Sequence, residues 1–491
     1  GSVATKGVLL DDKFLVLEEI YERNHGQPLQ RARDVLRRLT ARAGDRLAGI
    51  AATGAGSSLI GQALGVPVIN EVVAQATATG HFYPDVRTII EIGGEDSKLI
   101  LIEPDPANGR TRIRDFAMNA LCAAGTGSFL DQQATRLGIK IEHEWGAMAL
   151  QSEHPPRIAG RCSVFAKSDM IHLQQEGCPD YDIVAGLCFA MARNFRAVIG
   201  KGKDFLPLVS FQGGVAANAG MVRAFRELLG MDKSQLIIPR HHASMGAIGA
   251  VLAASELDLW QTPADLAAID RLVEDRAAEV RKCHAPLVDD QYPLVIKPQR
   301  EHLVAGRKVD AFVGVDVGSI STNVVVIDRQ GRVLARRYLM TGGRPLEAVT
   351  EGLYAVGQEI EHLVTVRGVG TTGSGRYLTG DFIGADIVKN EITAHATAAA
   401  MVDPHVDTIF EIGGQDSKYV SLENGAVVDF TMNKVCAAGT GSFIEEQSER
   451  LGVNLKGGEF NRLALSADQP PCMGERCTVF IETDINLSQQ Q

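Results

Sequence analysis

Apolar and polar positions alternate along this chain in short runs that close on glycine. Val313-Gly-Val-Asp316-Val-Gly318-Ser319 reads as an apolar strand ending in a tight turn, and Asn323-Val-Val-Val-Ile327 as the strand returning from it. Asp328-Arg-Gln-Gly331 is a hairpin turn before Arg332-Val-Leu-Ala335. Thr408-Ile-Phe-Glu411-Ile-Gly413-Gly414-Gln415-Asp416 repeats the strand-then-glycine design. Leu206 to Phe211 predicts a further strand, Gln212 to Ala216 a turn, and Met221 to Leu229 a helix that Gly230 ends. Ser244-Met-Gly-Ala-Ile-Gly249 is a small-residue helix start, preceded by His241-His242, a pair read as surface or helix-start histidines. A helix is expected after Cys122 and is stopped by Gly138, and Ser168 is a candidate cap for the next one.

The patterns occur twice. Asp115 to Ile139 and Asp429 to Val453 share 16 of 25 positions at an offset of 314 residues. Glu91-Ile-Gly-Gly-Glu-Asp96-Ser-Lys98 matches Glu411-Ile-Gly-Gly-Gln-Asp416-Ser-Lys418, and Arg161-Cys-Ser-Val-Phe165 matches Arg476-Cys-Thr-Val-Phe480. Gly1-Ser2 followed by Thr5 matches Gly318-Ser319 followed by Thr322. So long a period predicts a tandem pair rather than a solenoid. The boundaries are 1–255 for the first unit, lacking its opening strand, 256–310 for a linker, and 311–491 for the second, lacking its C-terminal part. An internal fragment of a longer chain is therefore expected. In the linker, Thr262-Pro263 caps a helix whose Leu266, Ile269, Val273 and Val280 recur at heptad-like spacing. Pro286, Pro293 and Pro298 then break the rest of the linker into extended segments.

Composition narrows the class. With 45% apolar, 22% charged and 5% aromatic residues the 491-residue chain is globular. A net charge of −11 gives no basic footprint for nucleic acid, and no apolar run is long enough for a membrane helix. Eight cysteines in a long acidic chain point to a reducing, cytoplasmic setting in which thiols serve metal or redox chemistry.

The glycine turns suit anionic oxygens, because Gly, Ser and Thr between buried strands expose backbone N–H groups and hydroxyls. The expected phosphate-binding residues are Gly1, Ser2, Thr5, Gly93 and Gly94 in the first copy, and Gly318, Ser319, Thr322, Gly413, Gly414 and Gln415 in the second. Gly213 and Gly214 would let a purine or ribose approach backbone. Asp316 could hold Mg²⁺ through water. Cys122 and Cys162 recur as Cys436 and Cys477, 40 and 41 residues apart, so each copy offers two thiolates where an iron–sulfur cluster commonly takes four. Cys122, just before a helix, is expected to have a lowered pKa. Cys178, Cys188, Cys283 and Cys472 have no repeat partner and are read as structural.

The ordered set DVGS…T, EIGGQDSK and FQGGVAAN resembles the phosphate and adenosine segments of the actin, heat-shock protein and sugar-kinase superfamily. KNEITAHATAAA, NKVCAAGTGSF and ERCTVF more narrowly resemble the activators of 2-hydroxyacyl-CoA dehydratases and the ATPase subunits of benzoyl-CoA reductase, the BadF/BcrA-type ATPase family. The resemblance implies a tandemly duplicated actin-like α/β fold that binds ATP and Mg²⁺. It implies Glu91, Asp96, Glu411 and Asp416, with Asp316, as the hydrolytic acids, and a [4Fe–4S] cluster on Cys122, Cys162, Cys436 and Cys477. It further implies a ferredoxin- or flavodoxin-type donor and a dehydratase or reductase partner with its own iron–sulfur clusters. A small-molecule kinase without a cluster is the alternative on the same fold, and a nucleotide-binding scaffold a third. The copies differ at Gln75 against His395 and at Lys6 against Asn323, so equal chemistry in both halves is not expected.

Overall fold

A computed structural model of the chain describes all residues except 108, 120–121, 161, 261–266, 279–282, 288–307, 434–435, 456, 475–476 and 491. The Thr262-Pro263 cap, Leu266, Val280, Pro293, Pro298, Arg161 and Arg476 lie outside the described residues.

The first copy runs through β1 (Ala4–Leu10), β2 (Val16–Arg23), α1 (Pro28–Ala43), β3 (Ala52–Thr53), α2 (Ser57–Leu64), β4 (Val68–Ile69) and α3 (Glu71–Phe82). It continues with β5 (Thr88–Ile92), β6 (Ser97–Pro104), β7 (Thr111–Asn119), α4 (Gly127–Leu137), α5 (Gly146–Gln151), α6 (Ser163–Gln175) and α7 (Asp180–Val198). Then come β8 (Val209–Gln212), α8 (Ala219–Leu229), β9 (Leu236–Ile237) and α9 (Met245–Glu256), with α10 (Ala267–Ala278) in the linker. The second copy has β10 (Val309–Val317), β11 (Ser321–Asp328), β12 (Val333–Met340), α11 (Pro345–Ile360), β13 (Val364–Thr372), α12 (Arg376–Ile383), β14 (Ile387–Val388) and α13 (Glu391–Val402). It ends with β15 (Thr408–Ile412), β16 (Ser417–Glu423), β17 (Ala426–Asn433), α14 (Gly441–Leu451), α15 (Glu459–Leu465) and α16 (Ile481–Gln490).

The chain divides into two compact units, Gly1–His284 with Gln469–Gln491, and Ala285–Asp468. The segment carrying Cys477 therefore packs with the first copy. In the first unit a five-stranded sheet runs β7-β6-β5-β8-β9, an antiparallel meander extended by two parallel strands. The second unit builds the same order as β12-β11-β10-β13-β14, plus a three-stranded meander β15-β16-β17. The repeat explains the asymmetry. The hairpin β1–β2 corresponds to β11–β12 and the short pair β3–β4 to β13–β14, and among the described residues no strand stands where β10 joins them in the second copy.

Helix ends follow local chemistry. Gly138, Gly230 and Gly452 stop α4, α8 and α14 in the left-handed region, where only glycine is free of Cβ strain. The core of the first unit gathers Trp145, Phe195, Phe211 and Phe225 between its sheet and α4, α7 and α8. Cys188 belongs to that core: Trp145 Nε1 donates to its Sγ at 3.3 Å, and burial pushes its thiol up to about 12. That fits the structural role expected for it. The helix expected to be capped by Ser168 begins earlier, at Ser163, with Cys162 as its N-cap residue, so Ser168 sits within α6.

Candidate functional site

In the first unit, Gly93 and Gly94 form the turn between β5 and β6, closed by Gly93 N–H donating to the Asp96 carbonyl at 2.9 Å. A Cβ on Gly94 would overlap Val3, so the turn is pressed against the chain leading into β1. Buried Lys98 is held by Asp96 at 2.6 Å, Glu91 at 3.0 Å and Glu71 at 3.3 Å. Three carboxylates around one ammonium leave net negative charge. Burial raises Glu91 to about 7, against the pull of Lys98 and with added repulsion from Asp96 and Glu71. Burial opposes the Lys98 ammonium, but the same carboxylates more than offset it and its pKa rises.

The first turn is braced from inside. Buried Asn24 donates to the carbonyls of Gly1 and Ser2 at 2.7 and 2.9 Å and accepts from Thr5 at 2.7 Å. On the far side, Gly213 has φ +92°, and its N–H donates to the His242 carbonyl at 2.7 Å. His242 Nδ1 returns to the Gly213 carbonyl at 3.0 Å. A Cβ on Gly213 would overlap the Ile92 carbonyl, so this glycine is required by the packing of β8 against β5. Gln212 donates to Gln75 at 2.8 Å, which ties the adenosine-type turn to α3.

The second unit repeats the charge cluster. Lys418 meets Glu411 at 2.6 Å, Glu391 at 3.1 Å and Asp416 at 3.1 Å. Its first turn is braced by Thr341, which donates to the Gly318 carbonyl at 2.8 Å and lies 3.0 Å from the Thr322 hydroxyl. Asp316 ends β10 beside this cluster, and burial, with Glu391 next, raises its carboxyl against the pull of His395. Glu391, His395 and Glu411 place ligand atoms within 4.8 Å of one another, a carboxylate–imidazole set that suits a divalent cation. His395 stands where the first copy has Gln75, so the sequence difference falls inside the site.

In both copies the glycine turn is strapped to the helix after the cysteine loop. Gly127 and Ser128 N–H groups donate to the carbonyls of Gly93 and Gly94, each at 2.8 Å, and the Ser128 hydroxyl adds a bond to Gly94 at 2.7 Å. Gly441 and Ser442 repeat this on Gly413 and Gly414 at 2.8, 2.9 and 2.6 Å.

Three cysteines converge in the first unit. Cys122 is hydrogen-bonded to Cys477 and lies within the electrostatic reach of Cys162. Cys477 shares an apolar cluster with Ala123, Val479 and Phe480. The hydrogen bond to Cys477, then burial, pushes the Cys122 thiol far up, which corrects the expectation of a lowered pKa. The reason is local: α4 starts five residues later at Gly127, and its first N–H groups are spent on the glycine turn. Cys162 is the N-cap residue of α6, and Cys477 lies just before α16. These helices are tied by Ser163 donating to Gln132 at 2.6 Å, Gln133 donating to Ser163 at 2.7 Å and Gln132 donating to Glu482 at 2.6 Å. Cys436 lies in the second unit, where Asn433 holds its carbonyl at 3.0 Å.

The sequence pattern gave no role to Lys98 and Lys418, Glu71 and Glu391, or Asn24 and Thr341, and it read His242 as a surface or helix-start histidine, whereas the structure sets it half-buried against Gly213. Lys98 and Lys418 stood at the ends of the repeated EIGG blocks and Glu391 inside KNEITAHATAAA, and those were the available signal.

A profile of the BadF/BadG/BcrA/BcrD ATPase family matches residues 1–254 and 313–491. The chain is 33% identical over 257 residues to the 2-hydroxyisocaproyl-CoA dehydratase activator of Clostridioides difficile, covering 52% of this chain and 92% of that one. It is 32% identical over 260 residues to the (R)-2-hydroxyglutaryl-CoA dehydratase activating ATPase of Acidaminococcus fermentans, covering 52% and 94%. Among solved structures, the activator of the 2-hydroxyisocaproyl-CoA dehydratase from Clostridium difficile with bound ADPNP aligns with 27% identity and a TM-score of 0.45, covering 58% of this chain and 97% of that one. Among the described residues no helix is long and apolar enough to cross a membrane.

Proposed function

This chain belongs to the BadF/BadG/BcrA/BcrD ATPase family, with the actin-like ATPase fold, and on that footing we propose that it is an ATP-dependent activator. It couples ATP hydrolysis to delivery of single low-potential electrons to a 2-hydroxyacyl-CoA dehydratase or benzoyl-CoA reductase-like partner. The observation that carries this reading is the meeting of Cys122 and Cys162 from the first copy with Cys477 from the second in one compact unit.

The donor set fits an iron–sulfur group: thiols side by side, with Ala123, Ala124 and Gly125 keeping the surroundings small. Cys122, Cys162 and Cys477 would hold it, with Cys436 as the fourth ligand suggested by the repeat. When bound, a [4Fe–4S] cluster supplies a one-electron carrier between a ferredoxin- or flavodoxin-type donor and the partner's own clusters. The raised Cys122 thiol must give up its proton for ligation, so loading is favoured by alkaline pH.

On the nucleotide side, the turns at Gly93–Gly94 and Gly413–Gly414 offer N–H groups to phosphate oxygens, and Gly213–Gly214 offers backbone to the adenosine. Asp316, with Glu391, His395 and Glu411, is suited to position Mg²⁺. Asp96 and Asp416 are suited to orient the attacking water, and Lys98 and Lys418 keep those carboxylates in place. The strap from each glycine turn to α4 or α14 gives a mechanical route from γ-phosphate loss to the cysteine loops.

Anaerobic purification with iron and sulfide analysis tests the reading. About four irons per chain are expected, lost in Cys122→Ser and in Cys477→Ser. Asp316→Ala and Asp416→Ala should lower Mg²⁺-dependent ATP turnover by about 10²-fold or more while nucleotide binding changes far less. An iron-free, colourless protein that phosphorylates a small molecule would overturn the reading.

A further inference from the structure

The two faces of strand β2 in the first unit serve different neighbours. Its even positions turn to α1: Ile20 packs with Val35 and Leu39, while Glu18 meets Arg42 at 2.9 Å and Glu22 meets Arg38 at 2.5 Å. Alternation sends Glu19, Tyr21 and Arg23 to the opposite face. There Glu19 lies 2.6 Å from His241 Nδ1, next to His242, whose carbonyl holds Gly213. The Tyr21 hydroxyl stands over Gly214, where an added Cβ would meet it at 3.2 Å. At the end of the strand, Arg23 grips Asp131 of α4 with two nitrogens, at 3.0 and 3.3 Å, and Glu142 with the third, at 2.9 Å. Three successive side chains of one face thus run from the adenosine-type turn to the helix that follows the Cys122 loop.

The guanidinium makes the last of these contacts a geometric one. A planar fork held by carboxylates from two segments fixes α4 in more than one direction, which a single ion pair does not. Arg23 is 33% exposed and Asp131 28%, so the pair adds little to stability, and its effect lies in where it holds α4. The second copy keeps the acid and drops the cation. With the β1–β2 register carried onto β11–β12, Arg23 becomes Met340 and Glu19 becomes Arg336, while Asp131 becomes Glu445. These are differences of residue type in segments that both copies contain.

We propose that Arg23 is a positioning residue, which passes occupancy of the adenosine-type turn of the first unit along β2 to α4 and the Cys122 loop. The proposal rests on the nucleotide site read above for that unit. A ligand seated at Gly213–Gly214 presses on Tyr21 and on the Glu19–His241 pair, and a paired strand moves as one body, so Arg23 carries Asp131 with it. The strap described above starts instead at the glycine turn that faces phosphate. ADP, which has no γ-phosphate, is therefore sufficient to act through β2. With methionine at the corresponding place, the second copy cannot make this ion pair.

The probe is ADP with Mg²⁺, added to the iron-free full chain, with hydrogen exchange followed in peptides covering residues 127–137 and 209–218. In the wild type ADP is expected to slow exchange in both. In Arg23→Met the slowing across α4 should fall at least about threefold, while the slowing at 209–218 and the affinity for ADP stay within about twofold. Asp131→Asn, which cuts the same contact from the other side, should match it. Arg23→Lys, which keeps the cation without the fork, should retain part of the α4 response. An α4 response equal in the wild type and both cutting variants, or missing in the wild type although ADP protects 209–218, overturns the proposal and leaves the nucleotide site standing. Loss of ADP binding in the variants also overturns it, since that places Arg23 in the nucleotide site itself. A wild type in which ADP protects neither segment overturns the nucleotide reading, and the proposal falls with it.

Discussion

Glu91 shows how one residue couples the site to pH. Its carboxyl titrates near 7 in the folded chain against 4.5 in the unfolded one, so between those values the folded state keeps a proton the unfolded state has lost. Stability contributed by Glu91 is therefore full below about pH 4.5 and lost as pH rises through 7. Glu91→Gln removes that dependence. The variant should gain on the wild type between pH 5 and pH 8, by at most about 3 kcal/mol, in denaturant unfolding at the two pH values. A gap that shrinks with pH would mean that Lys98 holds an ionised Glu91 at no net cost. Gly213 is constrained sterically. At φ +92°, with the Ile92 carbonyl in the way of any Cβ, Gly213→Val should cost on the order of 2–4 kcal/mol and weaken ATP binding. Gly214→Ala, whose Cβ would meet only the tip of Tyr21 at 3.2 Å, should stay within about 0.5 kcal/mol of wild type in the same melts. At the cysteines, Cys477→Ala removes the leading cause of the raised Cys122 thiol. Iodoacetamide should then alkylate Cys122 several-fold faster at pH 8 in metal-free protein, and an unchanged rate would assign the shift to burial alone.

At the scale of elements, the glycine turns, the cysteine-loop helices and their glycine stops were legible because each is local: spacing fixes a turn, and a glycine ends a helix. The charge clusters were not. Lys98 and Glu91 face each other across the β5–β6 pairing, and Glu71 arrives from the start of α3, a meeting that only tertiary packing creates. Asn24 and Thr341 do the same bracing with different side chains, so the repeat itself concealed them. The Gln132–Glu482 bond joins positions 350 residues apart. What these contacts build is a rigid connection from turn to helix, and Ser128 is its most testable part. Ser128→Ala deletes the side-chain bond to Gly94 and leaves the two backbone bonds. In the metal-free wild type, adding ATP and Mg²⁺ should change the alkylation rate of Cys122. In Ser128→Ala that nucleotide effect should shrink, while nucleotide affinity stays within about threefold, equivalent to less than 1 kcal/mol. An undiminished effect would place the coupling elsewhere than the strap.

For the whole molecule, the division into compact units does not track the repeat: residues 469–491, second-copy sequence, pack with the first copy and bring Cys477 to Cys122. A segment of one copy lodged among the helices of the other is what a fused pair requires if the two copies are to share one set of thiols. Two separate chains could share thiols in the same way, by exchanging that segment between them, and iron content would be identical in the two cases. Mixing distinguishes them. If the thiols are shared within a chain, the 52.7 kDa protein should keep its iron–sulfur absorbance as a monomer in sedimentation. Unfolding Cys122→Ser and Cys477→Ser chains together, then refolding them with iron and sulfide, should restore none of that absorbance, since every chain lacks one ligand of its own set. If the segment is exchanged between chains, a mixed dimer pairs one intact set with one doubly broken set, and up to about a quarter of the wild-type absorbance should return for random pairing of equal amounts. Absorbance regained on mixing would therefore overturn the single-chain arrangement.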